Sequence, residues 1–462
     1  MNTTNNASKT VVLVAATLAA FLTPFMGSSI NIALPKIGRE FEMDAVLLGW
    51  VATAYLIAAA MFLVPFGRIA DIYGRKKIFT LGILLFSIAS LLSGLSTSAY
   101  MLIAFRVLQG IGGAMIFGTG VAILTSVFPV GERGRVLGIN VAAVYIGLSI
   151  GPFAGGFLTE HFGWRSVFYA NVPLCLVVLG LILWKLKGDW AMAKGERFDF
   201  TGSVIYGIML VAIMYGFSRL PDMLGGWLIL IGFVALVAFV WWEMRAKSPV
   251  LNVNLFRHNI VFAFSNLAAL INYSATFAVS FLLSLYLQYI KGFSPDRAGL
   301  VLISAPLVQA VFSPLAGRLS DRIEPRVLAS LGMAISAAGV IMLIFLGHGT
   351  SLAFIVVSLV ILGFGFALFS SPNTNAVMSS VENRYYGVAS ATLATMRQVG
   401  MTLSMGIAML LFAVYIGRVQ ITPEYYDAFL KSVRVAFIVF GCLCLGGIFA
   451  SLARGRVRRA PE

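Results

Sequence analysis

The stretch that decides the fold is G-R-I-A-D-I-Y-G-R-K-K (Gly67–Lys77), and a shorter copy of it, G-R-L-S-D, occupies Gly317–Asp321. Each copy follows an apolar segment that contains a proline, Pro65 or Pro314. A basic turn directly after a long apolar segment is typical of a loop between two membrane-spanning helices. The repetition indicates that the chain consists of two similar halves.

Outside these loops the chain is strongly apolar. Of its 462 residues, 60% are hydrophobic and 11% are charged, whereas a soluble domain has about 25% charged residues. Fourteen apolar stretches are long enough to span a bilayer. The first, Thr10–Leu34, is too long for the apolar region of a signal peptide. The composition therefore predicts an all-α polytopic membrane protein with fourteen transmembrane helices.

The basic residues predict the orientation of these helices. Of the 33 Lys and Arg, 22 fall on the side of the two repeated loops, nine fall on the other side, and two lie inside spans. The positive-inside rule then places both termini in the cytoplasm and the protein in the plasma membrane. This topology accounts for the net charge of +15, so we expect no nucleic-acid partner.

The repeat also predicts the domain organisation. We expect an N-terminal six-helix bundle over residues 1–186, a linker with two additional transmembrane helices over 187–247, and a C-terminal six-helix bundle with a basic tail over 248–462. Duplicated six-helix halves are an established transporter plan, in which the substrate site lies between the halves near the membrane midplane.

Four further motifs carry a family resemblance: L-I-A-F-R-V-L-Q-G-I-G-G (Leu102–Gly113), G-L-S-I-G-P-F-A-G-G (Gly147–Gly156), W-R-S-V-F-Y-A-N-V-P (Trp164–Pro173) and P-V-L-N-V-N-L-F-R (Pro249–Arg257). With the loop at 67–77, they resemble signatures of the major facilitator superfamily, in particular its fourteen-helix drug/proton antiporter branch. The resemblance implies the major-facilitator fold with two inserted helices. It also implies secondary transport by alternating access.

The loop after the second span is a candidate cytoplasmic gate. Gly67 and Gly74 allow a tight turn, and Asp71 can pair with Arg68 or Arg75 or lie against a helix N-terminus. The resemblance implies that this cluster latches the cytoplasmic ends together in one state, whereas the alternative is a solvated turn. The predicted gate comprises Gly67, Arg68, Asp71, Gly74, Arg75, Gly317, Arg318 and Asp321.

Helix five carries a glycine pattern. Gly147, Gly151 and Gly155 recur every four residues, share one helix face and let another backbone approach closely. Pro152 favours a bend beside them, and Gly156 completes the motif. We predict a tight, pivoting contact between the halves, with ordinary small-residue packing as the alternative. The export direction is implied by the resemblance alone.

Two arginines lie inside spans, Arg106 in the fourth and Arg397 in the thirteenth. A guanidinium at membrane depth costs at least a few kcal/mol, so each requires a partner, a wet cavity or a function. We expect both to face the central cavity, with Gln109 beside Arg106 on the same helix face. The alternative is a structural arginine bound by backbone carbonyls.

The first span departs from the family pattern, because Met26 occupies the position at which the family usually has an acidic residue. No Asp or Glu lies in the interior of any span. We therefore expect a neutral or anionic amphiphile rather than a strong cation as substrate, and only Asp71 or Asp321 remains for proton coupling. Further candidates for the cavity are Asn31, Tyr145, Asn266, Asn272, Gln288, Gln309 and Asn373.

These features predict a secondary transporter that exports drug-like or lipid-like amphiphiles as a monomer, coupled to protons according to the resemblance. The first alternative is an importer or uncoupled facilitator of an organic anion. A membrane-embedded lipid-modifying enzyme would need a cluster of catalytic side chains inside the spans, and a channel would need rings of polar residues. The sequence has neither, nor a Walker ATP-binding loop. We expect no cofactor and no metal, and the bilayer as the other partner.

Overall fold

The computed structural model describes residues 3–185, 190–191, 194–246, 249, 253–320, 322–382 and 386–455. Within these ranges the chain forms helices and connecting turns and contains no strand. Fourteen helical segments are long and apolar enough to cross a membrane, which confirms the predicted number. The predicted domain boundaries at 186/187 and 247/248 lie at or next to positions outside the described residues.

The first half of the chain contributes six spans. Its helices are α1 (Thr3–Glu40), α2 (Ala45–Tyr73), α3 (Arg75–Gly94), α4 (Ala99–Val127), α5 (Val130–Phe162), α6 (Arg165–Tyr169) and α7 (Asn171–Lys185). Helices α6 and α7 together form one span. Helix α1 packs along α5, and α4 packs between α2 and α3. Asp44 and Ser98 begin α2 and α4 by accepting hydrogen bonds from backbone N–H groups of the first turn.

Two inserted helices follow, α8 (Phe200–Arg219) and α9 (Met223–Glu243). They pack against each other as an antiparallel pair, which we call the inserted hairpin. The Asp199 carboxylate caps α8 by accepting the N–H of Gly202 at 2.8 Å.

The second half contributes the last six spans. Its helices are α10 (Val253–His258), α11 (Ile260–Leu285), α12 (Pro295–Leu302), α13 (Ser304–Ser320), α14 (Pro325–Met342), α15 (Leu352–Ser379), α16 (Tyr386–Tyr415) and α17 (Tyr426–Ala453). A π-helical turn, Tyr286–Ile290, continues α11, and α12 and α13 together form one span. Helix α11 packs against α16 and α17, and α15 packs against α13 and α14.

Hydrogen bonds join the two halves at the end of the molecule remote from the turn between α2 and α3. We call the end with that turn the motif-loop end and the opposite one the far end. At the far end, the Ser284 hydroxyl donates to the Asn31 carbonyl at 2.6 Å, and the Gln288 amide donates to the Ile32 carbonyl at 2.9 Å. These bonds connect α1 with α11 and its π-helical turn, so the molecule is closed at the far end.

The last helix begins earlier than the sequence indicates. The last apolar stretch free of charged residues begins at Val435, which predicts the start of the last span there, but α17 begins at Tyr426, after a short turn that opens with Pro423. Lys431 and Arg434 therefore lie on the helix rather than in a loop, and both are exposed. Long basic side chains near a helix end can direct their charges towards the membrane surface, which explains why the apolar pattern does not mark this boundary.

Candidate substrate and gating sites

Arg397 of α16 lies where α11 and α15 approach each other. Its guanidinium donates to the Thr374 hydroxyl at 2.5 Å and lies over the ring of Tyr273, 5.7 Å from the ring centre. Arg397 is half-buried, and its Nε finds no acceptor in the described part of the chain. The guanidinium therefore keeps an unused donor.

A hydrogen-bonded path leads from Arg397 to the other half. The Thr374 hydroxyl donates to the Ser370 carbonyl one turn away, and the Ser370 hydroxyl lies 3.1 Å from the Tyr145 hydroxyl of α5. We call Tyr145, Tyr273, Ser370, Thr374 and Arg397 the central cluster. It joins α5, α11, α15 and α16, and it brings two of the predicted residues, Arg397 and Tyr145, into one polar path.

Arg106 is enclosed within the first half. It is 1% exposed, its Nε donates to the Val51 carbonyl at 3.0 Å, and its Nη1 donates to Gln109. The guanidinium also lies over the ring of Tyr55, 4.5 Å from its centre. The Gln109 amide in turn donates to Ser90 of α3. These contacts bind α4 to α2 and α3, so in this conformation the arginine has the partners of a structural residue.

Met26 of α1 is completely buried and packs against α7. The Asn171 amide lies 3.1 Å from the Met26 sulfur and also donates to the Val167 carbonyl. The Asn171 Oδ1 is buried with no hydrogen-bond partner among the described residues. The position at which the family usually carries an acid therefore lies inside the first bundle, next to an amide.

The predicted residues Asn31 and Gln288 belong to the far-end closure described above. Asn31 contributes its carbonyl to that closure, whereas Gln288 contributes its side chain. Both side chains are buried. The structure therefore brings these two residues together at the far end and not in the central cluster.

The remaining predicted side chains lie within the second half. Asn373 donates to the Ser265 carbonyl at 3.1 Å, and its Oδ1 accepts from Arg454 at 3.0 Å. Asn266 bonds to its own helix. Asn272 is fully buried, and both amide atoms lack a partner within the described ranges; the same holds for Nε2 of Gln309.

Arg454, at the end of α17, is a buried residue that sequence reasoning missed. Besides Asn373, its guanidinium bonds to the hydroxyl of Ser451 and lies 3.4 Å from that of Ser265. Burial lowers the pKa of Arg454 to about 10, so the side chain remains charged at neutral pH. The sequence shows it as the first member of a basic tail, and nothing in that pattern distinguishes it from the arginines that follow it in the sequence.

At the motif-loop end, Gly74 has φ +121°, a backbone conformation that favours glycine. The Asp71 carboxylate accepts from Arg75 Nε at 2.7 Å, and Arg75 also donates to the Ala122 carbonyl and the Ser126 hydroxyl of α4. The loop therefore binds α2, α3 and α4 within one half.

The other predicted gate residues have different neighbours. Arg68 forms an ion pair with Glu196, in the segment before α8. Gly67 lies close to Gly118 of α4. In the second half, Gly317 lies near Ser371, and Arg318 is exposed, while Asp321 lies outside the described residues. A latch between the halves therefore stays a prediction.

The helix-five glycines face two different partners. A Cβ on Gly147 or Gly155 would lie within 2.7 Å of the α1 backbone, and the Ser29 hydroxyl donates to the Gly151 carbonyl. These three glycines therefore pack within the first half, and the predicted contact between halves does not come from them. A Cβ on Gly156 would instead collide with the Pro295 carbonyl.

A reciprocal contact lies one turn further along α12. A Cβ on Gly299 would collide with the Pro152 carbonyl oxygen of α5. Pro152 and Gly156 of α5 and Gly299 of α12 therefore form a close contact between the two halves near the far end. The periodicity places Gly147, Gly151 and Gly155 on one face, and Pro152 and Gly156, each one residue further along the helix, are rotated away from that face.

Fourteen spanning helices, twelve of which form two bundles that close at one end around a polar centre, define a polytopic membrane transporter. The family model described as Major Facilitator Superfamily matches residues 16–240 and 265–462. The chain belongs to this superfamily, and it is therefore a transporter rather than an enzyme.

Relatives and solved structures agree with this assignment. The chain is 28% identical over 447 residues to the riboflavin transporter RibZ of Clostridioides difficile (strain 630), covering 96% of this chain and 97% of that protein. It is 31% identical over 410 residues to the multidrug resistance protein Stp of Mycobacterium tuberculosis, covering 87% and 75%. A bacterial homologue of the lysosomal transporter Spinster, solved in an inward-facing, unoccupied conformation, shares the fold with a TM-score of 0.68 and 18% identity, covering 98% and 99% of the two chains.

Proposed function

We propose that the protein is a secondary active exporter of drug-like or lipid-like amphiphiles, which works by alternating access with the motif-loop end in the cytoplasm. The observation that carries this proposal is the central cluster, a polar path across both halves that lies beneath a closed far end. A polar centre of this kind, at the junction of two bundles, can bind cargo from the motif-loop end and release it when the far end opens. The similarity to the multidrug resistance protein Stp supports export.

The charges favour a neutral or anionic substrate. Arg397 provides positive charge and a free donor at the central cluster. The acidic residues on described helices lie within one turn of a helix end, as Asp71 and Glu160 do. The ring of Phe366 meets the ring of Tyr273 edge to face at 5.2 Å, which provides apolar surface beside the charge.

Proton coupling is proposed from the family resemblance, with Asp71 as its described candidate. The buried position of Met26 holds no ionisable group, so the usual acid of the first helix cannot carry the proton here. Asp71 is held by Arg75 in this conformation. Proton coupling at this residue requires that this ion pair break during the cycle, so that the Asp71 carboxylate becomes available.

Uptake is a second candidate function, because RibZ, which matches over nearly the whole of both chains, is named as a riboflavin transporter without a stated direction. The same central cluster would then receive cargo from the far end. The two candidates differ in the direction of net flux under a fixed proton gradient.

Reconstituted flux tests the proposal. Proteoliposomes with the protein in one orientation are loaded with a neutral, an anionic or a dicationic amphiphilic dye, and the pH gradient is set independently. We expect the neutral and anionic dyes to move from the motif-loop side to the far side faster when protons move in the opposite direction. Gradient-driven movement of the dication would contradict the charge argument, and movement in the reverse direction would support uptake.

A disulfide cross-link at the far end tests whether transport requires that end to open. A Cβ on Gly49 of α2 would lie 2.8 Å from Cγ of Met409 on α16, so Gly49→Cys with Met409→Cys places two thiols within disulfide reach. In a background without Cys175, Cys442 and Cys444, we expect oxidation to stop flux and reduction to restore it. Flux that persists in the oxidised protein would exclude alternating access through this end.

A further inference from the structure

The inserted hairpin lies across one seam between the two halves. Helix α8 packs against α2 of the first half and also against α16 of the second. Helices α2 and α16 pack against each other at the same seam, and the Gln398 amide of α16 donates to the Leu56 carbonyl of α2 at 3.3 Å. Because alternating access moves one half against the other, α8 cannot keep both sets of contacts throughout the cycle.

The contacts with the first half are polar as well as apolar. The Tyr206 hydroxyl of α8 donates to the Ala60 carbonyl of α2 at 3.2 Å. A Cβ on Gly207 would meet the Met61 side chain, and the rings of Tyr215 and Trp50 lie 5.9 Å apart. Helix α8 therefore follows α2 over several turns.

The segment that precedes α8 adds further bonds to the same half. The Arg75 N–H donates to the Trp190 carbonyl at 2.9 Å, and Arg68 forms its ion pair with Glu196. The indole of Trp242, near the end of α9, donates to the Asp199 carboxylate at 2.9 Å. Both helices of the hairpin are thus connected to the turn between α2 and α3.

The described contacts between the helices α8 and α16 are apolar. A Cβ on Gly406 would lie 3.0 Å from the Phe217 ring and 3.3 Å from the Met214 sulfur. Val399 packs into the cluster formed by α8, α9 and Ala60. An ion pair between Arg418 and Asp222, 3.5 Å long and exposed, joins the loops, and such pairs contribute little stability. A flexible thioether against glycine can slide without breaking a hydrogen bond.

We propose that the inserted hairpin is a rigid part of the N-terminal half, and that α16 slides along α8 during transport. The hairpin then guides the C-terminal half at this seam and covers the contact between α2 and α16 from the membrane side in both end states. The inference rests on the alternating access of the proposed function. It assigns to the two inserted helices a mechanical role rather than a place in the substrate site.

Distances at the far end test which half the hairpin follows. Tyr100 of α4, Met223 of α9 and Phe345 beside α14 are 74%, 80% and 73% exposed and lie at the far end. Spin labels are placed on cysteines in three pairs, Tyr100→Cys with Met223→Cys, Met223→Cys with Phe345→Cys, and Tyr100→Cys with Phe345→Cys. Their distances are measured by double electron–electron resonance at acidic and alkaline pH, and in the oxidised and reduced Gly49→Cys/Met409→Cys background after labelling is complete.

We expect the Tyr100–Phe345 and Met223–Phe345 distances to change together while the Tyr100–Met223 distance stays constant. A change in the Tyr100–Met223 distance as large as the change in the Tyr100–Phe345 distance would overturn the inference. A Tyr100–Phe345 distance that is constant under all conditions would instead contradict alternating access, and with it the motion on which the inference rests.

Cross-linking provides a functional readout. In the background without native cysteines, Met61→Cys with Gly207→Cys joins α8 to α2, and Phe217→Cys with Gly406→Cys joins α8 to α16. A short bifunctional thiol reagent should leave flux unchanged in the first pair and reduce it roughly tenfold or more in the second, reversibly. Loss of flux in the first pair, or full flux in the cross-linked second pair, would refute the proposed sliding of α16 along α8.

Discussion

The two halves use a membrane-buried arginine in different ways. Arg106 of the first half is 1% exposed and binds the Val51 carbonyl, Gln109 and the ring of Tyr55. Arg397 of the second half is half-buried and binds one hydroxyl, and its Nε has no acceptor in the described chain. One guanidinium therefore stabilises a bundle, whereas the other retains binding capacity at the junction of the bundles.

This difference separates the contacts that hold a half together from those that must change between conformations. Contacts within a half are numerous, backbone-directed and closed to solvent. The described contacts between the halves rest on a few hydroxyls, two glutamine amides and close glycine contacts. Four sets of substitutions test this division, and the sizes of their effects should follow it.

The largest effect should come from Arg106→Leu. The substitution leaves the Val51 carbonyl and the Gln109 amide buried without their charged partner, and hydrogen bonds to charged groups contribute about 1.5–3 kcal/mol each. We expect the free energy of unfolding to fall by about 3 kcal/mol or more, measured as a lower melting temperature of the purified protein. Arg434→Leu, at an exposed arginine, should melt like the wild type. An Arg106→Leu protein of normal stability without flux would make this arginine a transport residue instead.

Arg397→Gln should have the opposite profile. We expect a melting temperature close to that of the wild type, but a roughly tenfold loss of flux for an anionic dye, which corresponds to about 1.4 kcal/mol. Arg397→Lys should retain part of the anion flux, and the neutral dye should be less affected. Equal losses for the anionic and neutral dyes would show that the charge does not select the substrate.

Neighbouring glycines of α5 offer a pair matched in position. Gly155→Ala would bring a Cβ within 2.7 Å of the Ser29 Cα inside one half, which should cost about 1–3 kcal/mol of stability. Gly156→Ala should collide with the other half instead and increase the far-end distance between Tyr100 and Phe345. Gly299→Ala should open the far end in the same way. Identical melting and identical distances for the two α5 variants would refute the division.

The smallest effect should come from Tyr145→Phe, which removes one neutral hydrogen bond between the halves. Such a bond contributes about 0.5–1.5 kcal/mol, so the population with an open far end should rise a few fold in the same distance measurement. Ser370→Ala should have an equal effect. The double variant should add nothing further, because both residues belong to one bond. Additive effects would show that the two hydroxyls act separately.

Much of the fold follows from sequence patterns, because a span needs about 20 apolar residues and its ends are marked locally. Asp44 and Ser98, for example, are of residue types that favour the N-cap position, and each begins a helix. The rotation of each helix is harder to predict, since the face towards lipid and the face towards protein are both apolar. Asn31 and Gln288 therefore appeared as cavity residues, although they close the far end.

The central cluster was only partly predictable for a related reason. Arg397 is conspicuous because a charge is rare inside a span. Thr374 and Tyr273 are not, because a threonine that bonds to its own helix, as Thr374 does to Ser370, looks like an ordinary packing residue. Only the positions of α11 and α15 in space reveal that these side chains surround the guanidinium.

The position of α8 makes the transporter unequal on its two flanks. On one flank, the inserted pair covers the seam between α2 and α16. On the other, among the described helices, α5 meets α12 and α13 with apolar side chains such as Phe153 and Val311 exposed. A hydrophobic molecule that diffuses in the bilayer therefore encounters one seam covered by the inserted hairpin and one seam, between α5 and the α12–α13 span, that is exposed. We expect hydrophobic cargo to approach through the exposed seam.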